Sequence, residues 1–160
     1  FVASAIKLKK IEVLSDGSPL RPLIHVHDMA KAIEWSFLRN TLENDQHLYV
    51  NVGSNDWNYK IKELAQKTVD IIGGGCKLFI NKEAAPDKRS YKVDFTEYSN
   101  LATGYKVEFT LVKAIEDLKN GINNCDDINE NFRASSYMRL NSLNNHIKNN
   151  YIDENLKFKI

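Results

Sequence analysis

Two arginines, Arg21 and Arg89, are the side chains best suited to chemistry in this chain. Arg21 enters a short apolar run from the turn Asp16-Gly17-Ser18-Pro19. A guanidinium at a strand edge, facing a cleft, suits a phosphate, because its fixed fork of donors matches paired oxygens. The loop Pro86-Asp87-Lys88-Arg89-Ser90-Tyr91 is the second place to look. It combines a rigid entry, two cations and an aromatic, and Arg89 could share a diphosphate with Arg21. The plain alternative is a surface arginine and an exposed loop.

Other candidates are weaker. His25 and His27 would share a face of a strand, as a metal pair could, but no third ligand of convincing spacing follows. A histidine hydrogen-bonded in the core is the favoured reading of His25, and an exposed side chain that of His27. No GxSxG elbow is present, and Cys76 has no partnered histidine that the sequence identifies. Gly73-Gly74-Gly75 invites a phosphate-loop reading, but it follows a helical stretch instead of preceding one. It reads as a helix stop.

The elements that must position these residues alternate. Phe1 to about Lys9 reads as the tail of a helix, and Ile11 to Leu14 as a short strand. Leu23, Ile24 and Val26 suit a buried strand, and Asp28 is placed to cap a helix with Met29, Ala32, Ile33, Ser36 and Phe37 on its stripe. Trp35 lies off that stripe, where it can pack on a neighbouring element. Asn40 to Gln46 reads as a loop, and His47 to Gly53 as a strand. With Asn58 as its cap, Ile61, Leu64, Ala65, Thr68, Val69 and Ile72 form an amphipathic helix. Cys76–Ile80 reads as a strand, Ser90–Phe95 as a short strand or extended segment, and Thr96–Ala102 as one or two helical turns. Thr110 can cap a helix with Leu111, Ala114, Ile115, Leu118 and Ile122 inward. Gly121–Asn131 reads as a linker, Ser135–Lys148 as a last helix that docks on another surface, and the rest as irregular or a short strand. The alternation predicts an α/β fold with some parallel pairing.

Composition narrows the function classes. The 160 residues suffice for one ordinary domain. With 22 basic against 21 acidic residues, no global charge excess argues for nucleic acid. No apolar run reaches membrane-span length. Cys76 and Cys125 fit reduced thiols better than a disulfide framework or a zinc site. The chain begins at Phe1 with helical spacing to Ala5 and Leu8, so it reads as a piece of a longer protein.

The stretch Asp16 to Ala30 resembles the segment after the cofactor domain in extended short-chain dehydrogenases/reductases, the NAD-dependent epimerase/dehydratase family acting on nucleotide sugars. That family's pattern runs roughly G-D-G-x-x-x-R-D/P-x-I-H-V-x-D. Tyr49-Val50-Asn51-Val52-Gly53 resembles its Y-N-V-G strand, with Val50 inserted, and Ile61-Lys62-Glu63-Leu64-Ala65 its I-x-E-L-A helix. Asp94, Gly104-Tyr105 and Thr110-Leu111 come in the family's order. The resemblance implies an α/β fold: the small substrate-binding lobe of a Rossmann-type enzyme over residues 1–122, then a linker and C-terminal helical extension over 123–160. It implies that Arg21 contacts the nucleotide diphosphate and that Val13 and Leu14 line the base pocket. His25 and Asp28 match family positions that are read as structural. The family's phosphate-binding arginine before the last strand is absent, because Ala84-Ala85-Pro86-Asp87 stands there, and Arg89 is the candidate to replace it.

The Gly-rich cofactor loop and the Tyr-x-x-x-Lys pair are not in this sequence. The resemblance therefore implies that NAD or NADP is bound by a missing N-terminal domain, with no cofactor on this piece, and that the piece alone is inactive. The expected whole is a cytoplasmic homodimer acting on a nucleotide sugar, without nucleic-acid or membrane partners. The alternative is a non-catalytic relative that keeps the fold as a ligand-sensing or scaffolding module.

Overall fold

The computed structural model describes residues 1–39, 47–84 and 89–159. The loop expected at Asn40–Gln46 and the motif residues Ala85 to Lys88 lie outside the described residues. By compactness the chain divides into two units, Phe1–Asn120 and Gly121–Ile160.

The first core of unit 1 grows from a plain alternation. In β1 (Lys10–Val13), Ile11 and Val13 point inward while Glu12 points out. β1 pairs in parallel with β4 (Lys77–Ile80), from Lys10 opposite Lys77 to Val13 opposite Ile80. Parallel neighbours need a crossover, and α3 (Ile61–Ile72) is the helix within it that leads into β4 and packs on the pair. Ala5 of α1 (Val2–Leu8), Ile11, Val13 and Ala65 form the buried centre, with Ile61, Val69, Ile72, Leu78 and Ile80 packed around it. α3 stops where the sequence predicts. Gly73, Gly74 and Gly75 take φ of 65°, 63° and 75°, a left-handed run that side chains resist. Its start differs from expectation: Asn58 is not the cap. Lys60 is, and its N–H donates to Glu63 Oε2 at 3.4 Å.

The second part is a hairpin-like pair with two helices. β2 (Leu20–Pro22) runs antiparallel to β3 (Asn58–Lys60), with Arg21 opposite Tyr59. The strand expected at Leu23–Val26 does not form. The 3-10 turn Asn55–Trp57 precedes β3, so pairing ends with the Leu23 N–H donating to Trp57 O at 3.0 Å. The helix α2 (Val26–Leu38) starts there, and its cap is His25, whose Nδ1 accepts from the His27 N–H at 3.3 Å. Asp28 lies inside the first turn, only 2% exposed. It accepts from the backbone N–H groups of Glu108 and Phe109 at 3.0 and 3.2 Å.

That tether selects the buried face of α2. Asp28, Ala32 and Trp35 recur at helical spacing and are buried together, whereas Met29, Ile33 and Phe37 of the expected stripe face outward. Trp35 and Ala32 pack with Tyr98 and Ala102, the Trp35 and Tyr98 rings meeting edge-on at 5.5 Å. Tyr98 comes from α4 (Thr96–Leu101). Leu48, Val50 and Val52 flank this core, so the alternation expected for a strand is present. No ladder forms, because among the described residues no strand pairs with this segment.

α5 (Leu111–Asn123) is capped by Thr110, whose Oγ1 accepts from the Lys113 N–H at 3.3 Å. Leu111, Ala114 and Ile115 are buried as expected, but Leu118 is exposed. The helix also runs into the expected linker. In unit 2 the last helix, α6, spans Arg139–Lys148, shorter than the sequence suggests, and a bridge joins Ile152 to Phe158. No helix among the described residues is long and apolar enough to cross a membrane.

Candidate functional site

Arg21 is the middle residue of β2, and its side chain is already engaged by the chain. Nη1 donates to the carbonyl of Leu20 at 2.8 Å and to the carbonyl of Arg89. The guanidinium also stands over the Tyr91 ring, 5.5 Å from its centroid. Ser90 completes the seam: its Oγ accepts from the Leu20 N–H at 3.0 Å. Residues 89–91 therefore lie along β2, and two arginines far apart in sequence share one edge.

The opposite strand adds an aromatic, and α3 a further cation. Tyr59, across from Arg21, meets Trp57 edge-on at 6.5 Å, and Lys67 Nζ lies 5.0 Å from its ring centroid. Burial, and then the charge of Asp56, push the Tyr59 phenol above its ordinary value.

Two asparagines hold the stretch from Val93 to Phe95. Asn58 Oδ1 accepts from the Val93 N–H at 2.9 Å, and its Nδ2 donates to Val93 O at 3.0 Å. Asn55 Oδ1 accepts from the Phe95 N–H at 2.9 Å and so anchors the start of α4. Asp94 caps the same turn by accepting from the Thr96 hydroxyl and N–H, which hold its carboxyl below the usual carboxylate range.

The site residues expected from sequence divide into two groups. Arg21 and Arg89 come together. Val13 is 4% exposed within the first core, whereas Leu14 lies one residue beyond β1 and is 82% exposed. His25 is buried, as expected, but at a helix start and not in a strand. Its ring stacks on Phe109 at 3.6 Å, and Nε2 lies 3.3 Å from Asp117 Oδ2. His27 is exposed. Burial raises the Cys76 thiol, with Lys9 opposing, which makes it a poor nucleophile. Among the described residues no group of three or more His, Cys, Asp or Glu could hold a metal ion.

Sequence reasoning missed Tyr59 and the part that Asn58 plays. Asn58 reads locally as a helix cap, and no spacing rule links it to a residue 35 positions away. The arrangement offers cations from separate segments, Arg21 and Lys67, with the aromatic faces of Tyr91 and Tyr59 beside them.

No protein-family model matches the sequence, and no curated protein matches it. Solved structures do match by fold. A GDP-6-OMe-4-keto-L-xylo-heptose reductase from C. jejuni superposes with a TM-score of 0.59 at 22% identity, covering 72% of this chain and 34% of its own. A GDP-L-fucose synthetase from Naegleria fowleri gives 0.59 at 12% identity, covering 77% and 38%. RMD from Pseudomonas aeruginosa, complexed with NADPH, gives 0.54 at 18% identity, covering 74% and 38%. The chain thus shares the mixed α/β fold of one part of each of these proteins, and it spans little more than a third of their length.

Proposed function

We propose that this chain is the substrate-side lobe of an NAD(P)-dependent nucleotide-sugar enzyme of the epimerase/dehydratase type, and that it holds the substrate's diphosphate at Arg21 and Arg89. The observation that carries this reading is that the Arg21 guanidinium reaches the backbone carbonyl of Arg89, 68 positions away, while standing over the Tyr91 ring. Two cations from different segments can divide the charge of a diphosphate, and the aromatic faces suit a planar base. Two of the structures of like fold are named for GDP-linked sugars, which makes a guanosine diphosphate sugar the first ligand to try.

The residues present do not fit a dinucleotide. The run Gly73–Gly75 closes α3 instead of opening a helix, so it presents no helix N-terminal amides to a pyrophosphate. The reading therefore assigns NAD(P) to polypeptide outside this chain, and the hydride chemistry with it. The exposed apolar face of α2 beside the unpaired Leu48–Val52 segment supports this division. Such surfaces mark a lobe that continues into further structure. The whole enzyme is proposed to be a cytoplasmic homodimer, and the isolated chain to be inactive.

Titration of the chain, and of the full-length protein, with GDP-, UDP-, TDP- and CDP-sugars tests the reading. Arg21→Ala should weaken binding by on the order of 2 kcal/mol, the scale of one charge-assisted contact. Unchanged affinity in a folded variant removes Arg21 from the site. Turnover by the isolated chain removes the division of labour.

A further inference from the structure

We propose that Asn58 is a positioning residue for the anion site, standing in for a strand partner so that the backbone carrying Arg89 is set against the Arg21 guanidinium. The inference rests on the diphosphate reading above.

The segment that carries Arg89 has no ladder of its own. Residues 89–95 form no strand, and Pro22, the residue opposite Asn58 in the β2–β3 pair, has no N–H to offer a further neighbour. A carboxamide presents the same acceptor and donor as a peptide group. Asn58 uses both on one residue, accepting from the Val93 N–H at 2.9 Å and donating to Val93 O at 3.0 Å. Two bonds to the same residue fix its rotation as well as its distance. Nδ2 also donates to Asn55 O at 3.2 Å, so the carboxamide itself is held in one orientation.

The consequence reaches the cations through geometry. Asn58 adjoins Tyr59, which pairs with Arg21. Val93 lies two residues beyond Tyr91, whose ring receives the Arg21 guanidinium. Ser90 and Arg89 then meet Leu20 and Arg21 through their own hydrogen bonds. The segment is thus tied to β2 at 89–91 and to β3 at 93. Releasing the second tie removes the hold on residue 93, two positions beyond Tyr91. Asn55, which binds Phe95 farther along, serves as the control, because its loss frees the start of α4 without freeing residue 93.

Inorganic pyrophosphate is the probe, since it carries the group common to all nucleoside diphosphates. Asn58→Ala in the 160-residue chain should weaken its binding roughly tenfold, and Asn55→Ala by less than about twofold. The readout that a general loss of stability would not move is coupling: Asn58→Ala combined with Arg89→Ala should be no weaker than Arg89→Ala alone. Should Asn58→Ala fail to fold, the wild-type chain supplies the second measurement. Saturating pyrophosphate should slow hydrogen exchange at the Val93 amide, because coupling is reciprocal. Wild-type affinity in folded Asn58→Ala, additive losses in the double variant, or unchanged Val93 exchange overturns the role of Asn58 alone. A wild-type chain that binds no pyrophosphate overturns the diphosphate reading together with it.

Discussion

The carboxylate of Asp28 accepts hydrogen bonds from the backbone of Phe109, 81 residues away, and from its neighbour Glu108. Both oxygens are used, and the residue is buried at the start of α2. This joins the helix to the segment that leads into α5 and decides which face of α2 looks inward.

Asp28→Ala should therefore destabilise the chain by on the order of 3 kcal/mol, because it leaves two backbone donors without their charged acceptor. Urea unfolding followed by circular dichroism measures the loss. A change below about 1 kcal/mol would mean that water replaces the carboxylate, and the tether would lose its importance.

Gly17 and Gly74 both have left-handed backbone, with φ of +73° and +63°, but their surroundings differ. A Cβ on Gly17 would stand 2.7 Å from Lys62 Cβ and 3.2 Å from that residue's backbone, whereas one on Gly74 meets only Lys9 Nζ at 3.7 Å. Gly17→Ala should cost roughly 3 kcal/mol and Gly74→Ala about 1 kcal/mol. Thermal unfolding of the two variants side by side gives the order.

Tyr98 ties stability to alkaline pH. Its hydroxyl donates to Tyr105 O at 2.8 Å, and burial, then the Asp28 charge, hold the phenol above its ordinary value. Above pH about 10 the unfolded chain releases this proton while the folded chain keeps it, so stability falls as pH rises. Tyr59 contributes in the same direction. Tyr98→Phe should lose about 1 kcal/mol at neutral pH and show a shallower alkaline decline. A decline as steep as that of the wild type would place the titration elsewhere.

The outward face of α2 should govern self-association of the isolated chain. Phe37 is 82% exposed and Ile33 54%, one turn apart on a helix whose other side is buried. Ile33→Glu with Phe37→Glu should lower the sedimentation-detected oligomer fraction while changing stability by about 0.5 kcal/mol or less per site. Association that survives both substitutions would have to use another surface.

Local chemistry was legible wherever one stretch of chain decided the outcome. The stripe from Ile61 to Ile72 and the glycines after it specify α3 and its end, because periodicity and backbone sterics need no distant partner. The alternation in β1 and β4 and the cap at Thr110 come from equally local rules, and the series of motifs was enough to point to the fold. What failed depended on residues far away. Met29, Ile33 and Phe37 form an apolar stripe on their own helix, yet α2 turns Ala32 and Trp35 inward because Asp28 is tied to Phe109. His47–Gly53 alternates like a strand, but among the described residues no neighbour completes its ladder. The sequence suggests that Arg89 could share a diphosphate with Arg21, but it carries no local signal for what brings the two segments together. Only the fold brings the Arg21 guanidinium to the Arg89 backbone and Asn58 to Val93, since a hydrogen-bond partner 35 or 68 positions away leaves no periodic trace in the chain.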